Sequence, residues 1–122
     1  MAYNVLIVDD SQTMRKVILK AVALSGFDLG DCWEAGDGRE AISILANHWV
    51  DLILTDLYMP GMNGLELTEK LRKDYPALKI LIITSHDRNT FYARAIKAGA
   101  DEMVEKGSTD EMLKKIKRAL DK

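Results

Sequence analysis

Four short stretches of this 122-residue sequence carry side chains suited to one kind of chemistry: Asp9-Asp10, Asp56, Thr84-Ser85 and Lys106. The first three stand just after short, largely apolar stretches, and Lys106 just after the weaker strand signal at 102–104. Three carboxylates brought to one spot repel each other and do not all ionise cheaply without a counter-charge. A divalent cation supplies it. Hard carboxylate oxygens suit Mg²⁺, which keeps several waters and takes carboxylates together with a phosphoryl oxygen. Lys106 adds a positive point charge for a second phosphoryl oxygen, and Thr84 offers a hydroxyl donor to a third. An aspartate nucleophile, a metal, a lysine and a hydroxyl together describe a phosphoryl-transfer site. Taken singly, each residue has a plainer reading. An Asp after a strand forms a turn or a cap, and Asp10 could cap the first helix. Lys106 alone would be a surface lysine, and Thr84 an ordinary strand end. Their joint placement carries the functional reading.

That placement depends on the elements between them. Val5-Leu6-Ile7-Val8, Leu52-Ile53-Leu54 and Ile80-Leu81-Ile82-Ile83 are continuous apolar runs. They lack the alternation of half-exposed strands, so both of their faces should be covered. Residues 28–34 and 102–104 read as weaker strands nearer the sheet edges. Between the strands lie helices with start signals. Met14, Val17, Ile18 and Ala21 recur at helical spacing after Ser11, a good N-cap. Asp37…Glu40, Asn63…Glu66 and Ser108…Glu111 each have capping-box spacing. Gly26 and Gly99 fall where helices should stop, and Pro76 follows the end of another. The last helix should pack Leu113, Ile116 and Leu120 inward. Its Lys114, Lys115, Lys117 and Arg118 read as a solvated face that complements the helix dipole.

Strand alternating with helix throughout implies an α/β fold: a five-stranded parallel sheet with helices on both faces, in flavodoxin-like order 2-1-3-4-5. Such sheets bind ligands at the carboxyl ends of their strands, near a topological switch point. That order brings the ends of strands one, three, four and five together, and with them the candidate residues. Asp56 follows the central strand and precedes Met59-Pro60-Gly61.

Composition bounds the rest. At 48% hydrophobic, the chain suits one compact domain over residues 1–122. A net charge of −2 advertises no large basic face for nucleic acid. The single cysteine, Cys32, rules out an internal disulfide, fits a reducing cytosol and reads as a small buried hydrophobe. No apolar run approaches the ~20 residues of a membrane span. The N-terminus lacks a signal peptide pattern, so a cytoplasmic monomer is expected.

These residues resemble the receiver domains of two-component signalling, and the resemblance covers essentially the whole chain. Val5 to Ser11 looks like that family's first strand with its acid pair. Leu54 to Gly64, with its Met-Pro-Gly loop, matches the segment around the phosphorylated aspartate. Ile83-Thr84-Ser85 and Ala98-Gly-Ala-Asp101 match the switch threonine and the turn into the fifth strand. The resemblance, strongest to chemotaxis-type members that stand alone, implies a signalling module rather than an enzyme turning over a metabolite. Asp56 would attack the phosphohistidine of a sensor histidine kinase or phosphotransfer protein, or a small phosphodonor. Asp10 and Asp56 would bind Mg²⁺ directly with the backbone carbonyl of Tyr58, while Asp9 would act largely through water. The phosphoryl group would then draw in Thr84 and Lys106, reshaping the surface of the fourth helix, fifth strand and fifth helix for a downstream protein.

Two positions depart from the family pattern. Gly107 replaces the usual proline after the lysine. A non-proline cis bond costs ~3 kcal/mol, so the loop is expected to be trans or more mobile. Met103 stands where an aromatic switch residue is usual; flexible and without a hydroxyl, it should couple less tightly to Thr84. Tyr58 and His86 fall where the family's side chains flank the attacking water's path. Both are bulky and planar, and are expected to shield the acyl phosphate; the alternative is His86 orienting that water as a general base. Trp33 and Trp49 are expected in core or edge packing, and Met59, Met62 and Met112 as gap fillers. Tyr92, Arg94 and Lys97 belong to the output face or to a solvated helix surface.

Three rival readings share parts of this pattern. A receiver cut from a larger DNA-binding regulator would share every feature above. An aspartyl-nucleophile phosphohydrolase would want a second Asp close after the nucleophile, where Tyr58 stands. A flavodoxin needs a Ser/Thr/Gly-rich phosphate loop after the first strand, and Asp9-Asp10-Ser11-Gln12-Thr13 is too acidic for one.

Overall fold

The computed structural model describes residues 2–24, 26, 28–85, 88–106 and 109–120, the side chains of 88, 109, 119 and 120 excepted. The strands are β1 (Tyr3–Val8), β2 (Leu29–Ala35), β3 (Leu52–Asp56), β4 (Lys79–Thr84) and β5 (Glu102–Glu105). They alternate with α1 (Gln12–Ala23), α2 (Gly38–Asn47), α3 (Gly64–Asp74), α4 (Arg88–Ala98) and α5 (Thr109–Leu120). Every strand pairing is parallel, and the order is β2-β1-β3-β4-β5. The expected order and class are those observed, with the two weaker strands at the edges.

The unbroken apolar runs have the expected cause. Successive side chains of a strand point to opposite faces, and here both faces are roofed by helices. Leu6, Val8, Ile53, Ile80, Ile82 and Met103 pack with Ala41 and Leu45 of α2, Leu67 and Leu71 of α3, and Ala95 and Ala98 of α4. Val5, Ile7, Leu52, Leu54, Leu81, Ile83 and Val104 pack with Ile18, Ala21 and Val22 of α1 and with Met112 and Ile116 of α5. Each fully buried Leu or Ile contributes about 1.5–3 kcal/mol.

The helix starts follow their caps. The Ser11 hydroxyl accepts from the Met14 N–H at 3.2 Å, so Ser11, not Asp10, caps α1. Asn63 and Glu66 close a full capping box on α3, with reciprocal bonds of 2.9 and 3.2 Å. Asp37 caps α2, but Glu40 turns back to the Gly36 N–H instead, leaving that box half made. Gly99 stops α4 at φ +113, a conformation that disfavours a side chain. The Ser108 cap, the inward Leu120, the peptide at Gly107 and the role of His86 lie outside the described residues.

Three expectations are corrected. Val17 is exposed, because the buried stripe of α1 runs through Ile18, Ala21 and Val22. Trp49 is 76% exposed rather than packed in core or edge. Its indole N–H donates to Asp51 Oδ1 at 3.0 Å and its carbonyl accepts from Asn4 Nδ2 at 2.9 Å, so polar bonds hold it at the surface. Trp33, by contrast, stacks on His48 with ring centroids 4.7 Å apart and lies against the core. Lys115 is not on a solvated face: it is 9% exposed, and its Nζ lies 3.4 Å from the Met103 carbonyl and 3.4 Å from Glu111 Oε1. Long lysine stems bury readily when the ammonium finds oxygen partners.

Cys32 lies in β2 and packs against the α1 and α5 side of the core, but it is half-buried rather than fully buried as expected. Burial, with Asp31 nearby, pushes its thiol above the ordinary range, which disfavours the thiolate.

Candidate functional site

The topological switch point lies at β1, which has β2 on one side and β3 on the other. The connections after β1 and β3 therefore diverge and leave a crevice at the carboxyl edge. Strand register aligns that edge: Val8 is opposite Thr55, Asp56 opposite Ile83, and Thr84 opposite Glu105. Asp9, Asp56, Thr84 and Lys106 are thus delivered to one place by four different strands.

Asp9 is almost fully buried. Its Oδ1 accepts from the Ser11 N–H at 2.9 Å and its Oδ2 from Lys106 Nζ at 2.8 Å. Asp56 is buried too, and its Oδ1 accepts from the Leu57 N–H at 2.9 Å and lies 3.1 Å from Lys106 Nζ. Asp10 is exposed at the rim. Oxygen atoms from the three carboxylates lie within 4.8 Å of one another. Thr84 is fully buried, and its backbone carbonyl accepts from the Lys106 N–H at 2.7 Å. The end of β4 therefore anchors the turn that presents the lysine.

The electrostatics follow from this crowding. Burial foremost pushes the Asp56 carboxyl above its ordinary range. The Lys106 charge and the Leu57 N–H pull it back, while Asp9 adds to the rise. Burial alone would lower Lys106, but its hydrogen bond to Asp9 and its attraction to Asp56 outweigh that and hold it above the usual lysine value. One ammonium pairs with two of the three clustered carboxylates. The donor set is all oxygen, hard, clustered and under-compensated, which fits a divalent cation such as Mg²⁺.

The structure also places residues that the sequence does not single out. The α3 N-terminus packs directly under Asp56. The Gly64 N–H donates to the Leu57 carbonyl at 2.8 Å, and a Cβ on Gly64 would run into the Asp56 carbonyl oxygen and sit 3.0 Å from Leu57 Cα. In the sequence Gly64 shows as part of a cap and as the end of the segment from Leu54 to Gly64; its backbone approach to the third strand's end has no local signal. Tyr58, about half exposed, packs edge-on against Phe91 of α4 with centroids 5.9 Å apart, and Arg94 lies over the same Phe91 ring. Met103 is fully buried on the α4 side of the sheet, opposite Ile82. Tyr92 lies partly buried against the core, while Arg94 and Lys97 are exposed. Met59 and Met112 are buried and Met62 packs against the core, as gap fillers do.

The family model described as the response regulator receiver domain matches residues 5–117. The chain is 39% identical over 114 residues to a chemotaxis protein CheY homolog of Campylobacter jejuni, covering 91% of this chain and 86% of that one. It is 33% identical over 118 residues to a cyclic di-GMP phosphodiesterase of Thermotoga maritima, covering 96% of this chain but 31% of that longer protein. Among solved structures, a CheY-like response regulator receiver domain protein of Methanospirillum hungatei superposes with a TM-score of 0.86 at 28% identity, over 99% of this chain and 95% of that one.

Proposed function

Since this chain belongs to the response regulator receiver domain family of two-component signalling, we propose that Asp56 is its phospho-acceptor and that residues 1–122 work as one phosphorylation switch in chemotaxis-type signalling. Receiver domains are signalling proteins rather than metabolic enzymes, they bind Mg²⁺ at an acidic pocket, and they receive phosphoryl groups from histidine kinases or phosphotransfer proteins. The observation that carries the assignment is the convergence of Asp9, Asp56 and Lys106 at the carboxyl edge, with Lys106 Nζ 2.8 and 3.1 Å from the two carboxylates.

Asp10 and Asp56 would hold the metal with the Tyr58 carbonyl, and Asp9 largely through water. When bound, the ion offsets the carboxylate repulsion and polarises the phosphoryl oxygens. Asp56 Oδ1 is already engaged by the Leu57 N–H and Lys106, which leaves Oδ2 to attack phosphorus. The phosphoryl bond to the donor histidine nitrogen breaks as the Asp56 O–P bond forms, and the histidine keeps the electron pair. Lys106 then holds one phosphoryl oxygen, and the Thr84 hydroxyl turns toward another. Thr84 and Met103 sit on β4 and β5 beside α4, so that movement reaches the surface of α4, β5 and α5, where an output protein would dock. Tyr58 and His86 would set the lifetime of the acyl phosphate by shielding it. The module would act as a cytoplasmic monomer; no helix among the described residues is long and apolar enough to cross a membrane.

The test joins labelling to a conformational readout. Acetyl phosphate should add one phosphoryl group per chain when Mg²⁺ is present and none when it is chelated, and labelling should change amide hydrogen exchange in α4. Thr84→Ala should keep the label and lose the exchange change. Labelling that is indifferent to chelation would sink the site assignment. An α4 response that persists in Thr84→Ala would remove Thr84 from the switch.

A further inference from the structure

Two of the three clustered carboxylates are gripped directly. Asp9 is held by the Ser11 N–H and Lys106, and Asp56 by the Leu57 N–H and Lys106. Asp10 differs. Its carboxylate is exposed and, among the described residues, has no hydrogen bond or ion pair. Among the described residues, a side chain holds the peptide group that joins it to Asp9. Arg15, from the first turn of α1, donates from Nη1 to the Asp9 carbonyl oxygen at 2.6 Å. The same guanidinium donates from Nε to Glu34 Oε1 at 3.0 Å, near the end of β2, and the other Glu34 oxygen takes Lys16 Nζ at 2.7 Å. The Arg15 side chain is 17% exposed, so this is an inward brace and not a solvated pair. A planar fork suits the task, because it bonds a carbonyl and a carboxylate in fixed relative directions.

We propose that Arg15 is a positioning residue for the metal site: by fixing the Asp9–Asp10 peptide plane against Glu34, it aims the Asp10 carboxylate into the acid cluster. The inference rests on the reading of Asp10 as a metal ligand given above. Charge and position make opposite predictions here. A guanidinium beside the acid pocket repels a divalent cation, so if charge were its whole effect, neutralising it would tighten Mg²⁺ binding. If Arg15 positions Asp10, neutralising it weakens binding, as loss of a group that orients a metal ligand generally does.

The experiment titrates magnesium-free protein with Mg²⁺ and follows the amide chemical shifts of Asp10 and Ser11, a readout that needs no phosphorylation. Arg15→Gln should raise the dissociation constant about tenfold, within the range for groups that hold a metal's ligands. Arg15→Lys, which keeps the charge but not the fork, should also bind more weakly than wild type. A purely structural role would lower the melting temperature and leave the affinity of the folded protein unmoved. Unchanged or tighter binding in Arg15→Gln, with Asp10→Ala losing affinity, would overturn the inference alone. Wild-type affinity in Asp10→Ala would overturn both the inference and the ligand reading beneath it.

Discussion

Replacing Lys106 with alanine is expected to destabilise the magnesium-free protein by about 3 kcal/mol, the low end of what breaking a buried charge pair costs. The ammonium lies 2.8 Å from an Asp9 oxygen and 3.1 Å from an Asp56 oxygen, and both carboxylates are nearly sequestered from water. Without it, the Asp9 and Asp56 carboxylates face each other and Asp10 with no ammonium between them, since the Arg15 guanidinium bonds the Asp9 carbonyl and not a carboxylate of the cluster. Urea unfolding at neutral pH measures the loss. Added Mg²⁺ should return part of it, because an ion that binds only the folded state stabilises by linkage. The pH dependence has a definite sign. The pKa of Lys106 is raised in the folded state, so its contribution is fully present below the ordinary lysine range and is lost as the pH climbs through the folded value. The gap between wild type and Lys106→Ala should therefore persist through neutral and mildly alkaline buffer and close only when strongly alkaline. Equal unfolding midpoints at neutral pH would show that the ion pair does not hold the site.

Gly64→Val should have the next largest effect, and on two readouts at once. The new Cβ meets the Asp56 carbonyl oxygen and Leu57 Cα, both backbone atoms, so no flexible side chain can yield. Either α3 or the end of β3 must move. Overpacking of this kind costs about 1–3 kcal/mol. Displacing the acceptor by an ångström is expected to slow phosphorylation by acetyl phosphate about a hundredfold. Gly61 provides the control. It has φ +78, but a Cβ there would meet nothing within 4 Å, so Gly61→Ala should strain the loop by about 1–2 kcal/mol while sparing the rate far more. Equal rates for Gly64→Val and wild type would mean that α3 does not fix the acceptor's position.

The fold is legible because both-face burial imposes an unbroken apolar signature on central strands, and Val5 to Val8, Leu52 to Leu54 and Ile80 to Ile83 carry it. The edge strands are legible too, though faintly, since only part of each is covered. The convergence of Asp9, Asp56, Thr84 and Lys106 follows from the strand order, because residues just past parallel strands share one edge. What escapes is set by partners distant in sequence or in the fold. Lys115 reads as one of four solvated cations, yet the Met103 carbonyl and Glu111 lie beside it. Trp49 reads as packing because its size suggests burial, and its tie to Asp51 has no periodic signal. Arg15 looks like an ordinary helical arginine; its grip on the Asp9 carbonyl depends on how α1 leaves the strand. Gly64 sits inside a legible cap that gives no hint of its contact with Asp56.

The central claim is that Asp56 itself carries the phosphoryl group, and locating the label tests it most directly. Wild type, Asp56→Asn, Asp9→Asn and Asp10→Asn would each be treated with acetyl phosphate and Mg²⁺, weighed intact by mass spectrometry, and mapped by peptide after reductive trapping of the acyl phosphate. The label should map to the peptide containing Asp56 in wild type and be absent from Asp56→Asn. Asp9→Asn and Asp10→Asn should be labelled more slowly, but at the same residue. A label that persists in Asp56→Asn, or that maps to the Asp9-Asp10 peptide in the wild-type protein, would contradict the account.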